Sequence, residues 1–304
     1  MESFHDTSGD ARMRQTLLPL LISLFSFVTA CTGQTTITDR SMDITVGNGL
    51  LGVFLPDYRV GSNETSETAL FDDGDLLGYQ GELRLIRRFL HTRTSIEGRV
   101  FYGVAESNDT NQVDSLILSE LGGSNELSFG QGRADLKTSI DHYGYDLGLR
   151  DTWRTTFGGL SAGCLLSYMM FDQNYDVFHQ STAALSEELS SEFIGGKAVF
   201  GWDGYLRECP TLLDFAVGFY QLRTDYLASS EQVSTIEIDY VYSNPVNLEA
   251  TFTTFQNVND VRLSYTISMT HLDKIPSLSR DSLKGTSIKF DDGFLLKMMV
   301  EILL

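Results

Sequence analysis

Val261-Arg-Leu-Ser-Tyr-Thr-Ile-Ser-Met269 alternates without a break: its odd positions are Val, Leu, Tyr, Ile and Met, its even positions Arg262, Ser264, Thr266 and Ser268. Successive side chains of a β-strand point to opposite faces, so this stretch reads as a strand with one apolar and one polar face. The same period recurs in Ile96–Val104, Tyr143–Leu149 and Leu213–Phe219. It recurs again in Phe294–Leu304, FLLKMMVEILL, where six apolar residues share one phase and Lys297 and Glu301 lie on the other. No heptad, long helical period or basic tract competes with it.

Extended over the chain, the pattern predicts ten strands, at 76–90, 94–105, 139–151, 160–171, 192–206, 211–224, 234–242, 246–255, 260–271 and 293–304. Connections near 91–93, 152–159, 207–210 and 243–245 are short, while 106–138, 172–191, 225–233 and 272–292 are longer and polar. The short 255–260 segment breaks this rhythm, and the glycine-interrupted Ile44–Leu55 run is a candidate extra strand.

Residues 1–30 read as a secretory signal peptide. Arg12 and Arg14 precede the apolar run LLPLLISLFSFV (Leu17–Val28), which is too short to span a bilayer and ends at the small residue Ala30. Met13 is an alternative start. Val28-Thr29-Ala30-Cys31 resembles a lipobox, which makes Cys31 a candidate lipidation site beside plain cleavage after Ala30. Residues 31–75 are assigned to an N-terminal extension with an acidic linker, and 76–304 to one all-β unit.

Two folds show half-apolar strands of this kind: an antiparallel membrane barrel and a soluble sandwich. Strand length favours the barrel, since a tilted membrane strand needs about 9–11 residues. So do mid-strand charges on the polar phase, as in a wet lumen, and aromatics near strand ends: Trp153, Phe157, Phe171, Tyr205, Tyr226, Tyr242 and Phe294. The fold expected is an antiparallel transmembrane β-barrel of about ten strands, within a range of about 8–12.

FLLKMMVEILL resembles the C-terminal insertion signal of Gram-negative outer-membrane proteins, with Leu304 where Phe is commonest. SIDHYGYDLGLRDTW (139–153) followed by GGLSAGCLLSYMMFDQNYD (158–176) is similar to strand–turn–strand units of porin-type barrels. The resemblance implies an outer-membrane location, with outer-membrane lipid and the barrel-assembly machinery as partners.

The formal net charge of −19 argues against a nucleic-acid partner. The residues expected to line the lumen are Arg84, Arg99, Asp146, Arg150, Lys197, Asp214, Glu249 and Arg262. Glu82, Arg88, Glu97, Asp203, Glu237, Asp239, Lys297 and Glu301 share their phase. These charges either line a water channel or pair across a narrow interior and fill it. The function expected is porin-like or structural. A non-pore surface or adhesion barrel and an outer-membrane lipid hydrolase are the alternatives. For the hydrolase, His142 with Ser161 or Ser167, or His271 with Ser268, are the nearest pairings, and none has a recognised motif spacing. Neither catalytic residue, cofactor nor metal is predicted.

Overall fold

The computed structural model describes residues 42–304, apart from 57–58, 64–65, 73–74, 90–91, 115, 120–125, 230–235, 260 and 282–284. The signal peptide and Cys31 lie outside the described residues.

Fourteen strands follow in order: β1 (Met42–Phe54), β2 (Arg59–Asn63), β3 (Ser66–Asp72), β4 (Asp75–Arg88), β5 (Thr94–Val113), β6 (Leu116–Ser119), β7 (Glu126–Phe129), β8 (Gly132–Thr155), β9 (Gly158–His179), β10 (Thr182–Leu206), β11 (Cys209–Ser229), β12 (Ile236–Val258), β13 (Val261–Asp281) and β14 (Gly285–Leu303). Ten of them pair antiparallel in the sequence β1-β4-β5-β8-β9-β10-β11-β12-β13-β14. β14 returns to β1, with Thr45 opposite Leu303 and Phe54 opposite Phe294, so the sheet closes. The wall is a ten-strand antiparallel barrel.

The expected count was right, but its membership was not. β1, assigned above to the N-terminal extension, is a wall strand paired to β4 over its whole length. Segments 234–242 and 246–255 are one strand, β12. What reads as a turn between them is a kink, with Asn244 at φ 68° and a register shift between Phe219 and Gln221 of β11. β12 and β13 are joined between Val258 and Val261, inside the short 255–260 connection that stood out.

One rim, called lower here, carries the short turns near 90, 156, 207 and 259 together with Met42 and Leu303. Arg207 and Glu208 both have positive φ, the backbone of a tight type I′ hairpin. Gly158 sits at φ 123°, and a Cβ there would fall 2.1 Å from the carbonyl oxygen of Asp203. The upper rim carries the β2–β3 and β6–β7 hairpins and the turn at 180–181. Strands β5 and β8–β14 run 19–25 residues, so most of the segments expected as long polar loops are wall.

The outer face explains why those segments read as loops. On β9 the outward residues are Leu160, Ala162, Cys164, Leu166, Tyr168 and Met170, then Asp172, Asn174 and Asp176. On β8, Asp141 and Ser139 follow Leu149, Leu147, Tyr145 and Tyr143. Below this switch the outward positions of Leu160–Met170, Ile194–Trp202, Leu213–Phe219, Leu263–Met269 and Phe294–Ile302 hold no charge. Trp153, Phe157 and Tyr205 are exposed at the lower edge of this belt, and Tyr79, Tyr102 and Tyr145 at the upper. Phe171 and Tyr226, expected among the edge aromatics, are buried inside. The distance from Tyr143 to Trp153, at about 3.3 Å per residue and a tilt of about 40°, gives a belt roughly 25 Å tall. That is the height of the apolar band of a membrane barrel.

Candidate functional site

The inward positions of the lower half converge on an ion-pair network. Each strand contributes because alternation sends every second side chain inward. Arg99 of β5 reaches Asp146 of β8 at 2.6 Å and Glu249 of β12 at 3.0 Å. Lys197 of β10 reaches the same two carboxylates at 3.1 and 3.2 Å. Lys297 of β14 stands 3.8 Å from Glu249. Beneath, Arg150 pairs with Glu97 at 2.9 Å and with Asp214 at 2.7 Å. Arg84 pairs with Glu97 and stands 3.8 Å from Asp214.

Hydroxyls complete the network. Ser167 donates to Asp146 at 2.6 Å and accepts from Tyr220 at 3.0 Å. Ser264 donates to Glu301 at 2.8 Å. Such pairing is what makes buried charge tolerable, since an unpaired buried charge is costly. The space left among these side chains is about 60 Å³, enough for a few waters at most.

Seven of the eight residues expected in the lumen therefore meet around one chamber, as do Glu82, Glu97, Lys297 and Glu301. Arg262 does not join them: it lies near the lower rim with its guanidinium 4.6 Å from the Phe255 ring. Arg88 is at the same rim, paired to Asp43 at 2.6 Å. Asp203 accepts the Gly159 amide there. The side chains of Glu237 and Asp239 are outside the described residues.

Above the chamber the inward face turns mainly apolar, with Gln80, His142 and Gln173 as buried polar exceptions. Leu51, Val53, Leu76, Phe101, Ile140, Met169, Phe171, Phe193, Leu222, Leu272, Ile275 and Leu295 form one buried cluster across the barrel. Phe193 meets Phe171 and Tyr220 edge-on, with centroids 6.3 and 6.0 Å apart. Higher still, Leu136, Tyr175, Val177, Leu185, Leu189 and Tyr226 form a second cluster, which Leu116 and Leu118 of β6 close from above. Most of the lower cluster lies on strands that were expected, while the upper one falls in segments whose polar outer face suggested loops.

The nearest serine–histidine pairings do not assemble. His142 is buried between Phe101 and Phe171, with ring centroids 4.8 and 4.3 Å away. Ser167 is held by Asp146 and Tyr220, and Ser161 lies 3.5 Å from Arg150. His271 faces outward, 3.3 Å from Asp292, while Ser268 points inward and accepts from Thr251.

No protein-family profile and no curated protein matches the chain. Among solved structures it is similar to the outer membrane protease OmpT of Escherichia coli, at 8% identity and a TM-score of 0.49, over 90% of this chain and 100% of that one. It is similar to the translocator domain of the autotransporter NalP of Neisseria meningitidis, at 9% identity and a TM-score of 0.42, over 98% and 99%. A third is the toluene transporter TodX of Pseudomonas putida, at 10% identity and a TM-score of 0.28, over 87% and 90%. All three are outer-membrane barrels. What they share with this chain is a wall; identities this low transfer no residue.

Proposed function

We propose that this protein is an outer-membrane barrel with a closed interior, a structural or surface role and no conducting path. The observation that carries this reading is the stacked interior: paired charges below, two apolar clusters above. From Met169 to Val177 of β9 this packed zone extends about 20 Å along the axis at the usual rise and tilt; the buried Gln173 and Glu187 within it are hydrogen-bonded to Tyr175, Pro276 and Tyr226. Carrying a bare ion into such a packed interior costs at least several kcal/mol. Ten strands also fall nearer the side-chain-filled barrels than the wide channels.

The belt would sit in outer-membrane lipid, after export by residues 1–30 and insertion by the barrel-assembly machinery. The upper half would stand in water. Its exterior bears Glu106, Asp114, Asp141, Asp172, Asp176, Glu188 and Glu192, and that excess of acid suits a solvated surface with little attraction for nucleic acid.

Reconstitution into planar bilayers tests the closed interior: no stepwise single-channel current is expected, and reproducible steps would restore the porin-like reading. Membrane placement is tested separately. The protein is expected to stay in the membrane fraction through a high-salt wash, and release by salt alone would favour a soluble barrel.

A further inference from the structure

Above the belt the wall forks between β12 and β13. Below the fork these strands pair from Val258 opposite Val261 up to Leu248 opposite His271. Higher up, β12 continues to Ile236 beside β11, with no second partner strand among the described residues. β13 turns into the barrel instead. Ile275, Pro276, Ser277 and Leu278 are all buried, so both faces of this stretch are covered where a wall strand would alternate. Gln173 of β9 donates to the Pro276 carbonyl at 3.1 Å, and Leu278 shares a buried cluster with Leu189 of β10. At Ser279, β13 pairs with β14 on one edge and with Arg59 of β2 on the other, the edge that faced β12 below.

The sequence builds this fork. Pro245 has no N–H to offer a neighbour, and Asn244 beside it has φ 68°. Lys274 has φ 63°, inside the register shift between Leu272 and Ile275, and Pro276 removes another donor just above. Two side chains stand in for the ladder at its last rung. Asp273 Oδ2 accepts from the Val246 amide and Asn247 Oδ1 accepts from the Asp273 amide, each at 3.0 Å.

The edge left on β12 is unguarded. Ile236–Ser243 reads IEIDYVYS, rich in strand formers and without the Pro or Lys that blunt an edge. Along such an edge the N–H and C=O of every second residue face away from the paired neighbour. The only charges on this stretch, Glu237 and Asp239, are both acidic and sit at alternate positions. Asp225 of β11 stands opposite Asp239, with Arg223 3.4 Å from Asp225 as the one cation nearby on β11. Across the fork, residues 272–292 hold four acidic and four basic residues and favour neither sign.

We propose that the upper edge of β12 is a docking site for an extended strand of a partner protein that carries Lys or Arg at alternate positions. The partner's backbone completes the ladder, and its cations meet Glu237 and Asp239, since cross-strand pairs of opposite charge are favoured. The site gives the surface role proposed above a partner class and rests on that reading.

The test uses the refolded full barrel in detergent and a labelled peptide of alternating Lys and Val, followed by fluorescence anisotropy. Saturable binding is expected, with hydrogen exchange slowed at alternate amides of 236–243 and unchanged in β9. The same peptide N-methylated along its backbone keeps its charges and loses its donors; it is expected to bind about tenfold more weakly or worse. The double variant Glu237→Lys, Asp239→Lys is expected to release the Lys peptide and take up its Glu counterpart. The first two readouts need no variant to fold. No saturable binding, equal binding of the N-methylated peptide, protection outside β12 alone, or a folded double variant that still prefers the Lys peptide would each overturn the site. Binding is read without conductance, so a conducting barrel would overturn the closed interior and leave this docking edge standing.

Discussion

The lower and upper halves of this barrel are built from the same ten strands with opposite chemistry. In the lower half the outside is apolar and the inside charged: Leu166 points out while Lys197 and Glu249 point in. In the upper half Asp172 and Asp176 point out while Phe171, Tyr175 and Val177 point in. The inversion takes place within single strands, around residues 170–172 of β9 and 140–143 of β8. A protein surface matches its solvent, so under the proposed membrane placement the inversion marks where lipid gives way to water. The lower half has the surface of a membrane barrel, and the upper half is organised like a soluble one.

This contrast can be broken hardest from inside. Glu249→Ala leaves Arg99 and Lys197 with Asp146 as their ion-pair partner and takes the nearest carboxylate from Lys297. We expect a loss of about 3–5 kcal/mol in denaturant unfolding of the refolded barrel. A loss below about 1 kcal/mol would mean that water reaches the network freely and that the lower interior is not closed.

The outer boundary is sharpened by moving one lysine along β9. Leu166→Lys, in the middle of the belt, is expected to cost about 2–4 kcal/mol in lipid. Asn174→Lys, on the same face but above the switch, is expected to stay within about 0.5 kcal/mol. Equal costs would erase the boundary, and a costly Asn174→Lys would raise it.

The smallest effect concerns the upper half alone. Burial, with the Glu187 charge adding to it, pushes the Tyr175 phenol above its ordinary range. A group raised on folding gives its full stabilisation below its unfolded pKa, and that contribution fades as pH rises past about 10. Amides of β8 and β9 above the belt should therefore exchange faster than belt amides above about pH 10, beyond the intrinsic rise with pH. Tyr175→Phe should reduce that difference. It also removes the hydrogen bond to Gln173, 2.6 Å long, at a cost of about 1 kcal/mol.

Much of the lower half was legible because alternation there contrasts apolar with charged residues, as in Phe294–Leu304. Period 2 also placed Arg84, Arg99, Asp146, Arg150, Lys197, Asp214 and Glu249 on the inner phase, though not who pairs with whom, since those partners lie on strands far apart in sequence. The upper half was misread for a physical reason. Asp172, Asn174 and Asp176 outside look like a loop unless Phe171, Tyr175 and Val177 are recognised as an inner face. Pro245 beside Asn244 looked like a turn and is a bulged stretch of one strand. β1 was read only as a candidate extra strand because Gly47, Gly49 and Gly52 interrupt it. Gly49 has a packing cause: a Cβ there would fall 2.0 Å from the Met298 carbonyl oxygen, so the β1–β14 contact leaves no room for one.

That contact governs how the molecule can be assembled. Nine wall contacts join each strand to the next wall strand along the chain, and the tenth joins Thr45 to Leu303. Until β14 is in place β1 has one unpaired edge, the kind of surface that recruits a wrong neighbour. Its glycines make it a weak strand alone, and a weak first strand is a poor template for its own copies. The seam thus combines late closure with low early stickiness.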